Sequence, residues 1–177
     1  RGLTFLHAFN DPTTIAGQGT IGLELYEQNP QLDAVIVPVG GGGLIAGIAL
    51  VLKVLNPRIR IIGVQAEVIP SMKAALAKGE PISFAPATTI ADGIAVRKVG
   101  ETALDLVKKH VDEIVTVSEG EIANAVLLLL EIEKTVAESA AAAPLAALIN
   151  KKVNLTDKNI ALIVSGGNID VNLISRI

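Results

Sequence analysis

Four short runs rich in β-branched residues recur along the chain, Ala34–Val39, Arg60–Gln65, Glu113–Val117 and Asn159–Val164, and helix-like stretches separate them. A strand that is apolar on both faces must be covered on both, and strands that alternate with helices are joined most simply by right-handed crossovers. The expected fold class is therefore α/β: an open, mainly parallel sheet with helices on both faces. Thr4–Phe9 is a candidate for a short fifth strand. No repeat, charge block or linker interrupts residues 1–177, which read as a single α/β domain.

Composition narrows the function classes. With Cys 0, neither a disulfide scaffold nor a cysteine metal site is available, and a cytoplasmic location is expected. Lys+Arg 15 against Asp+Glu 18 leaves a net charge of -3 and no excess of basic residues, so neither nucleic acid nor an anionic membrane surface is an expected partner. No signal-peptide pattern follows Arg1. The apolar stretches Ala123–Leu130 and Ala140–Ile149, bounded by Glu121, Glu131, Glu138 and Lys151, are too short to span a bilayer. A mean hydropathy of +0.54 is high for a small domain that must keep its surface wet. Some apolar surface is expected to meet a further segment or another subunit. The chain lacks an initiating Met and opens close to an apolar run, so a fragment is expected.

Caps and periodicity place the helices. Ser118 with Glu121 forms a capping box ahead of Ile122, Val126, Leu129 and Leu130, which share one helical face. Glu101–His110 opens on an acid and closes on Lys108, Lys109 and His110, the charge order that complements a helix dipole. Pro70–Lys78 is expected to stop at Gly79, and Leu44–Leu55 to stop before Asn56-Pro57. Asp11-Pro12 starts a helix over Thr13–Glu27. The alanine-rich Thr135–Asn150 is expected to be a helix interrupted or started near Pro144.

Gly40-Gly41-Gly42-Gly43-Leu44 lies directly after the first run and directly before a helix. Consecutive glycines let successive N–H groups turn toward a bound anion, and the helix adds its positive N-terminal end. The segment is a phosphate cradle in form, although it is no P-loop, because no Lys-Ser or Lys-Thr follows. A tight strand-to-helix turn that needs steric room is the plainer reading, but one or two glycines would satisfy it. Upstream, Gly17, Gly19 and Gly22 match the dinucleotide pattern G-x-G-x-x-G. No strand immediately precedes them, so close packing of a helix face is the expected role. Ser165-Gly166-Gly167-Asn168 follows the last run and so lies on the same sheet edge as the Gly40 loop, where open α/β sheets bind ligands. Ala91-Asp92-Gly93 is a turn placed to reach the same rim.

In combination these segments resemble the fold-type II pyridoxal-phosphate enzymes, in the branch of the threonine dehydratases (threonine ammonia-lyases) and serine racemases. The resemblance rests on Gly40–Leu44, Ile90-Ala91-Asp92-Gly93, Ser118-Glu119-Gly120-Glu121, Glu138 and Ser165–Asn168, and runs from Phe5 through Ile177. It implies the large domain of a tryptophan-synthase-β-like fold with pyridoxal 5'-phosphate as cofactor. Gly40, Gly41, Gly42, Gly43 and Leu44 would hold the phosphate, Gly93 would pass close to the pyridine ring, and Ser165, followed by Gly166, would offer its hydroxyl to the ring nitrogen. A neutral partner makes the ring a weaker electron sink than an aspartate would, which suits β-elimination. The implied substrate is an amino acid: L-threonine or L-serine would give 2-oxobutanoate or pyruvate and ammonia. Glu138 and Asn168 are candidate neighbours of the site. Glu138 is either a buried carboxylate with a local partner or an exposed acid at a helix start. Relatives also imply a homo-oligomer.

Departures accompany the resemblance. The family's Schiff-base lysine follows Ser-Phe, whereas Ser83-Phe84 here precedes Ala85. The lysine-bearing N-terminal segment, and any C-terminal regulatory domain, are expected to lie outside these residues, which leaves no catalytic residue here and an inactive isolated chain. Lys53, Lys73, Lys108, Lys109, Lys151 and Lys152 read as solvated helix faces or ends. Glu138-Ser139-Ala140-Ala141 stands where relatives usually carry Glu-Gly-Ala-Gly. Glu67 matches a divalent-metal position of serine racemases, but Ser71 and Lys73 replace its companions, so no such metal is expected. His7 reads as a strand-end residue and His110 as a helix-end cation rather than as general bases. Two other readings stand beside this one: a nicotinamide-dependent oxidoreductase using the Gly17 pattern, and a noncatalytic fragment that retains only the fold.

Overall fold

In the computed structural model, residues 2–175 and 177 are described. Four strands, β1 (Ala34–Pro38), β2 (Arg60–Ala66), β3 (Glu113–Val117) and β4 (Ile160–Leu162), form one all-parallel sheet in the order β3-β2-β1-β4. The registers pair Ala34 with both Arg60 and Ile160, and Gly63 with Ile114.

Alternation along the strands divides the core. Ala34, Ile36, Ile62, Val64, Val115 and Val117 face α5 (Glu119–Glu131) and α6 (Ser139–Ile149). Val35, Val37, Ile61 and Ile114 face α1 (Pro12–Gln28), α2 (Gly43–Leu55), α3 (Ser71–Lys78) and α4 (Glu101–His110). Both faces of β1 are fully covered, as the both-face apolar pattern requires. A final short helix, α7, spans Val171–Ile174.

The local signals act as read at several ends. Asp11 caps α1 by accepting from the Thr13 and Thr14 N–H groups, the Ser118–Glu121 capping box is closed on both sides, and Gly79 ends α3 in the left-handed region at φ 86°. The small residues of α1 form a packing face: a Cβ at Gly19 or Gly22 would press on Val51 of α2, while Gly17 faces open space. That arrangement leaves the dinucleotide pattern inside a helix, without the strand and turn it needs.

Three expectations are corrected. Thr4–Phe9 is not a strand: it runs without regular structure into a turn at residues 8–10, with Leu3, Phe5 and Leu6 exposed. The sheet offers it no pairing, and Phe9 packs instead on the glycine loop. The alanine-rich helix starts at Ser139 and continues through Pro144 without interruption. Proline costs that helix one backbone bond, about 3 kcal/mol in an isolated helix. Complete burial of Ala142, Ala143, Ala146 and Ala147 against the sheet offsets the loss. Strand β4 covers only the middle of Asn159–Val164, although the Ile163 N–H still reaches the Ile36 carbonyl at 3.0 Å. It lies at a sheet edge and pairs with β1 alone, so its ends lack a second neighbour to hold them. Among the described residues no helix is long and apolar enough to cross a membrane.

Candidate cofactor site

The strand order reverses between β1 and β4, since β1 leads outward to β2 and β3 whereas the chain returns to the other side of β1 for β4. Loops leaving two such neighbouring strands diverge and open a crevice beyond their carboxyl ends. Gly40–Gly43 leaves β1 there, and Ser165 lies just past β4.

Backbone geometry shapes the cradle. Gly42 adopts φ 99°, a conformation that side chains disfavour, and caps α2, whose first turn begins at Gly43. The Gly42 carbonyl accepts from the Ala46 N–H at 3.0 Å, and the Gly41 carbonyl accepts from the Gly100 N–H at 3.3 Å, which ties the loop to the start of α4. Each glycine has its Cβ space taken: by Val96 at Gly40, the Phe9 ring at Gly41, the Met72 methyl at Gly42 and the Phe9 backbone at Gly43. Steric demand and exposure of N–H groups at a helix N-terminus therefore act together, and neither reading of the glycines excludes the other.

A cavity of about 290 Å³ lies over this loop, lined by Gly40–Gly43, Leu44, Gly93, Glu138 and Ser165, together with Phe9 and Gln18. It brings together eight of the ten residues singled out from the sequence. The other two lie alongside. The Gly166 carbonyl accepts from the Glu138 N–H at 3.1 Å, and Asn168 lines a neighbouring cavity of about 600 Å³. Glu138 borders both spaces. It is half-buried at the N-cap of α6, with its carboxylate 3.3 Å from the Cβ position of Gly93 and 3.0 Å from that of Gly166. A Cβ at either glycine would press on that wall and need the carboxylate to shift by a few tenths of an ångström.

Gly93 owes its position to a residue outside the cradle. The Glu119 carboxylate accepts from the Thr89 hydroxyl at 2.5 Å and from the Ile90 N–H at 2.7 Å, fixing the segment that turns into Asp92–Ile94. Glu119 belongs to the quoted Ser118–Glu121 motif, but nothing in the sequence tells which of its acids reaches across. Phe9, Gln18 and Val96 were also missed. Phe9 sits in the expected strand, and Gln18 is a polar residue between the helical glycines whose direction depends on how α1 docks.

Several charged groups differ from their simplest reading. Lys53 is no freely solvated lysine: its ammonium pairs with Asp112 at 2.8 Å and donates to the Ile59 carbonyl at 2.8 Å. Lys152 pairs with Glu121 at 2.8 Å. Desolvation pushes the Glu121 carboxyl up, but hydrogen bonds from Lys152 and the Ser118 N–H outweigh it and hold the group below its ordinary value. Burial, followed by the nearby Lys109 and Lys53 charges, lowers the pKa of His110, so it takes up a proton less readily than a free helix-end histidine. His7 lies just before the turn at residues 8–10, and its Nδ1 accepts from the Asn10 N–H at 3.2 Å. Ser83-Phe84 lies in irregular chain, where the Phe84 N–H and carbonyl bond Arg97, and neither residue lines the cradle cavity.

A parallel α/β sheet with a four-glycine strand-to-helix loop at its switch point, and a serine just past the neighbouring strand in the same cavity, is the arrangement of a class of phosphate-bearing cofactor binders. The pyridoxal-phosphate dependent enzyme family model matches residues 1–166, and the chain belongs to that family. It is 53% identical over 176 residues to the L-threonine ammonia-lyase of Thermotoga maritima, a match covering 99% of this chain and 44% of that protein. It is 45% identical over 178 residues to the catabolic L-threonine dehydratase of Escherichia coli strain K12, covering 99% and 54%. The structure of the processed form of threonine deaminase isoform 2 from Solanum lycopersicum superimposes with a TM-score of 0.92 at 35% identity, covering 99% of this chain and 52% of that one. The chain thus spans about half the length of the curated relatives it matches.

Proposed function

We propose that these residues form the cofactor-binding part of a threonine ammonia-lyase, which converts L-threonine, and L-serine as a second substrate, to 2-oxobutanoate or pyruvate and ammonia. The single observation that carries this reading is the meeting of Gly40–Leu44, Gly93 and Ser165 in one crevice, in a chain whose relatives bear that activity in their names.

The residues fit a pyridoxal phosphate: the Cβ positions of Gly40–Gly43 are already taken by Val96, Phe9 and Met72, so only backbone can stand there, and Ser165 lines the same cavity. When bound, that cofactor supplies an electron sink for the charge that develops beside the substrate's amino group. In the proposal the amides of Gly40–Leu44 hold the phosphate, assisted by the positive end of α2. Gly93 leaves the space over Ala140 and Glu138 open for the ring. The Ser165 hydroxyl would be the neutral partner of the ring nitrogen, which suits loss of the substrate's β-hydroxyl. Glu138 closes the wall between the two cavities, and Asn168 faces the outer one. Overall, water lost in the elimination is regained when ammonia is released.

Among the described residues no lysine lines the cradle, so the amine that anchors cofactor and substrate is proposed to come from chain outside these residues, and the 177 residues alone to bind cofactor without turnover. Exposed Leu3, Phe5, Leu6, Val54, Ile132 and Val171 support contact with such a segment or with another subunit, and a cytoplasmic homo-oligomer is proposed.

The test is to titrate the chain with pyridoxal phosphate, following the cofactor's visible absorption and phosphorus resonance. 2-Oxobutanoate formation from L-threonine is then assayed after adding the separately produced N-terminal part of the Thermotoga maritima enzyme. Saturable binding by the chain and oxoacid release only in the mixture are expected. Cofactor binding in the mixture with no oxoacid from either amino acid would sink the lyase reading.

A further inference from the structure

Among the described residues only three polar side chains are buried, Gln65, Ser71 and Ser139, and Gln65 is 0% exposed. It lies near the end of β2, on the face turned to α2, α3 and α4, next to the carboxyl edge where the cradle stands. Helix α3 starts after Pro70, a residue with no side-chain oxygen to cap its first turn. The carbonyl oxygen of Gln65 reaches across from the strand and accepts from the Met72 and Lys73 N–H groups, both at 3.0 Å. Its NH₂ group donates to the Val39 carbonyl at 3.2 Å and to the Ser71 hydroxyl at 3.4 Å. Every donor and acceptor site of the amide is thereby used.

Two of these partners support the glycine loop. Val39 is the residue immediately before Gly40, and the peptides on either side of it are each held: its N–H donates to the Val64 carbonyl at 2.8 Å, and its carbonyl, in the peptide it shares with Gly40, accepts from Gln65. Met72, whose N–H Gln65 holds, places its terminal methyl where a Cβ at Gly42 would go. One buried amide thus fixes both the plane of the peptide that enters the loop and the group packed beneath its left-handed residue. A leucine would fill the same volume but leave Met72 N–H, Lys73 N–H and Val39 C=O without this partner. A glutamate would keep both α3 contacts and, when ionised, could not donate to the Val39 carbonyl.

We propose that Gln65 is a positioning residue for the anion-binding loop: it sets the direction in which the amides of Gly40–Gly43 point, and so the affinity of the loop for a phosphate group. The proposal rests on the reading of Gly40–Gly43 as the phosphate cradle.

The test compares the wild-type chain with Gln65→Leu, Gln65→Glu and Leu129→Ala. The last removes a buried side chain on the opposite face of the sheet and controls for a general loss of stability. Amide resonances of Gly40–Gly43 are recorded without ligand, and inorganic phosphate and pyridoxal phosphate are then titrated. Both Gln65 variants are expected to shift the four glycine amides and weaken both ligands at least tenfold. Leu129→Ala should lower the thermal midpoint and leave loop amides and affinities within twofold. Folded Gln65→Glu with unmoved glycine amides and near wild-type affinity would overturn the proposal, as would equal weakening by Leu129→Ala. If Gln65→Leu does not fold, Gln65→Glu decides. Loss of the fold in both counts against the proposal, since Gln65 would then serve the fold as a whole. If the wild-type chain binds no pyridoxal phosphate, the cofactor reading fails, while the unliganded glycine resonances still show whether Gln65 orients the loop.

Discussion

The phenyl ring of Phe9 occupies the space that a Cβ at Gly41 would need, and the Phe9 backbone does the same at Gly43, with its carbonyl oxygen 2.7 Å and its Cα 2.8 Å from the Cβ position. The residues before α1 are thereby clamped onto the cradle. A ring can turn aside, but a backbone can move only with the whole segment. Gly43→Ala is expected to destabilise the chain by about 1–3 kcal/mol and to weaken phosphate binding more than Gly41→Ala does. Thermal unfolding and phosphate titration of the two variants check the order.

Gly17→Ala makes the opposite prediction. Nothing lies within 4 Å of its Cβ position, inside α1. Alanine there should stabilise by about 0.5–1 kcal/mol, by removing the excess flexibility of a helical glycine, and leave pyridoxal phosphate affinity unchanged. A dinucleotide site at Gly17–Gly22 would instead lose its ligand. Calorimetry with NAD and with pyridoxal phosphate separates the two.

Ser165 lines the same cavity as Gly40–Gly43, and its proposed role divides by ligand. Ser165→Ala should cost one neutral hydrogen bond, about 1 kcal/mol or roughly fivefold in affinity, toward pyridoxal phosphate and nothing toward inorganic phosphate. Equal loss for both ligands would mean that the hydroxyl supports the loop rather than the ring.

Glu121 accepts from the Ser118 N–H at 2.8 Å and pairs with Lys152 at 2.8 Å, joining the start of α5 to the chain after α6. Its folded-state pKa is held down, so its contribution is present above the ordinary value of 4.5 and is lost as pH falls through and below it. The thermal midpoint of the wild type should fall from neutral pH to about pH 4 more than that of Glu121→Gln. Ser118→Ala, which removes the cap itself, should cost about 1 kcal/mol at neutral pH.

Lys53 and Asp112 make a second such node, because the Asp112 carboxylate also accepts from the Ile61 N–H at 2.7 Å. Lys53→Met is expected to cost about 2 kcal/mol, the scale of hydrogen bonds to a charged group, and to show little dependence on salt because the ammonium is mostly covered. Chemical denaturation at low and high ionic strength tests both parts.

Local chemistry made much of this legible. The Ser118–Glu121 box, the Asp11 cap and the Gly79 stop act over a few residues and stand in the structure as expected, and each β-branched run holds a strand, although the last is shorter than its run. The cradle was legible too, because a strand, four glycines and a helix start are consecutive. Signals failed where a distant partner decides. Thr4–Phe9 has strand-like composition but no strand to pair with, Pro144 is carried by the burial of its neighbours, and the lysine at 53 looks solvated until Asp112 is brought beside it.

The sequence by itself therefore determined the layered parallel architecture and the strand–glycine–helix order around Gly40–Gly43, because hydrophobic period, caps and glycine runs are properties of adjacent positions. Only the tertiary structure decided that Phe9 packs against Gly41 and Gly43, that Glu119 anchors the turn before Gly93 and that Gln65 binds the peptide ahead of the loop. Those contacts join residues far apart in the chain, and their geometry exists only once the strand order has placed β1 between β2 and β4.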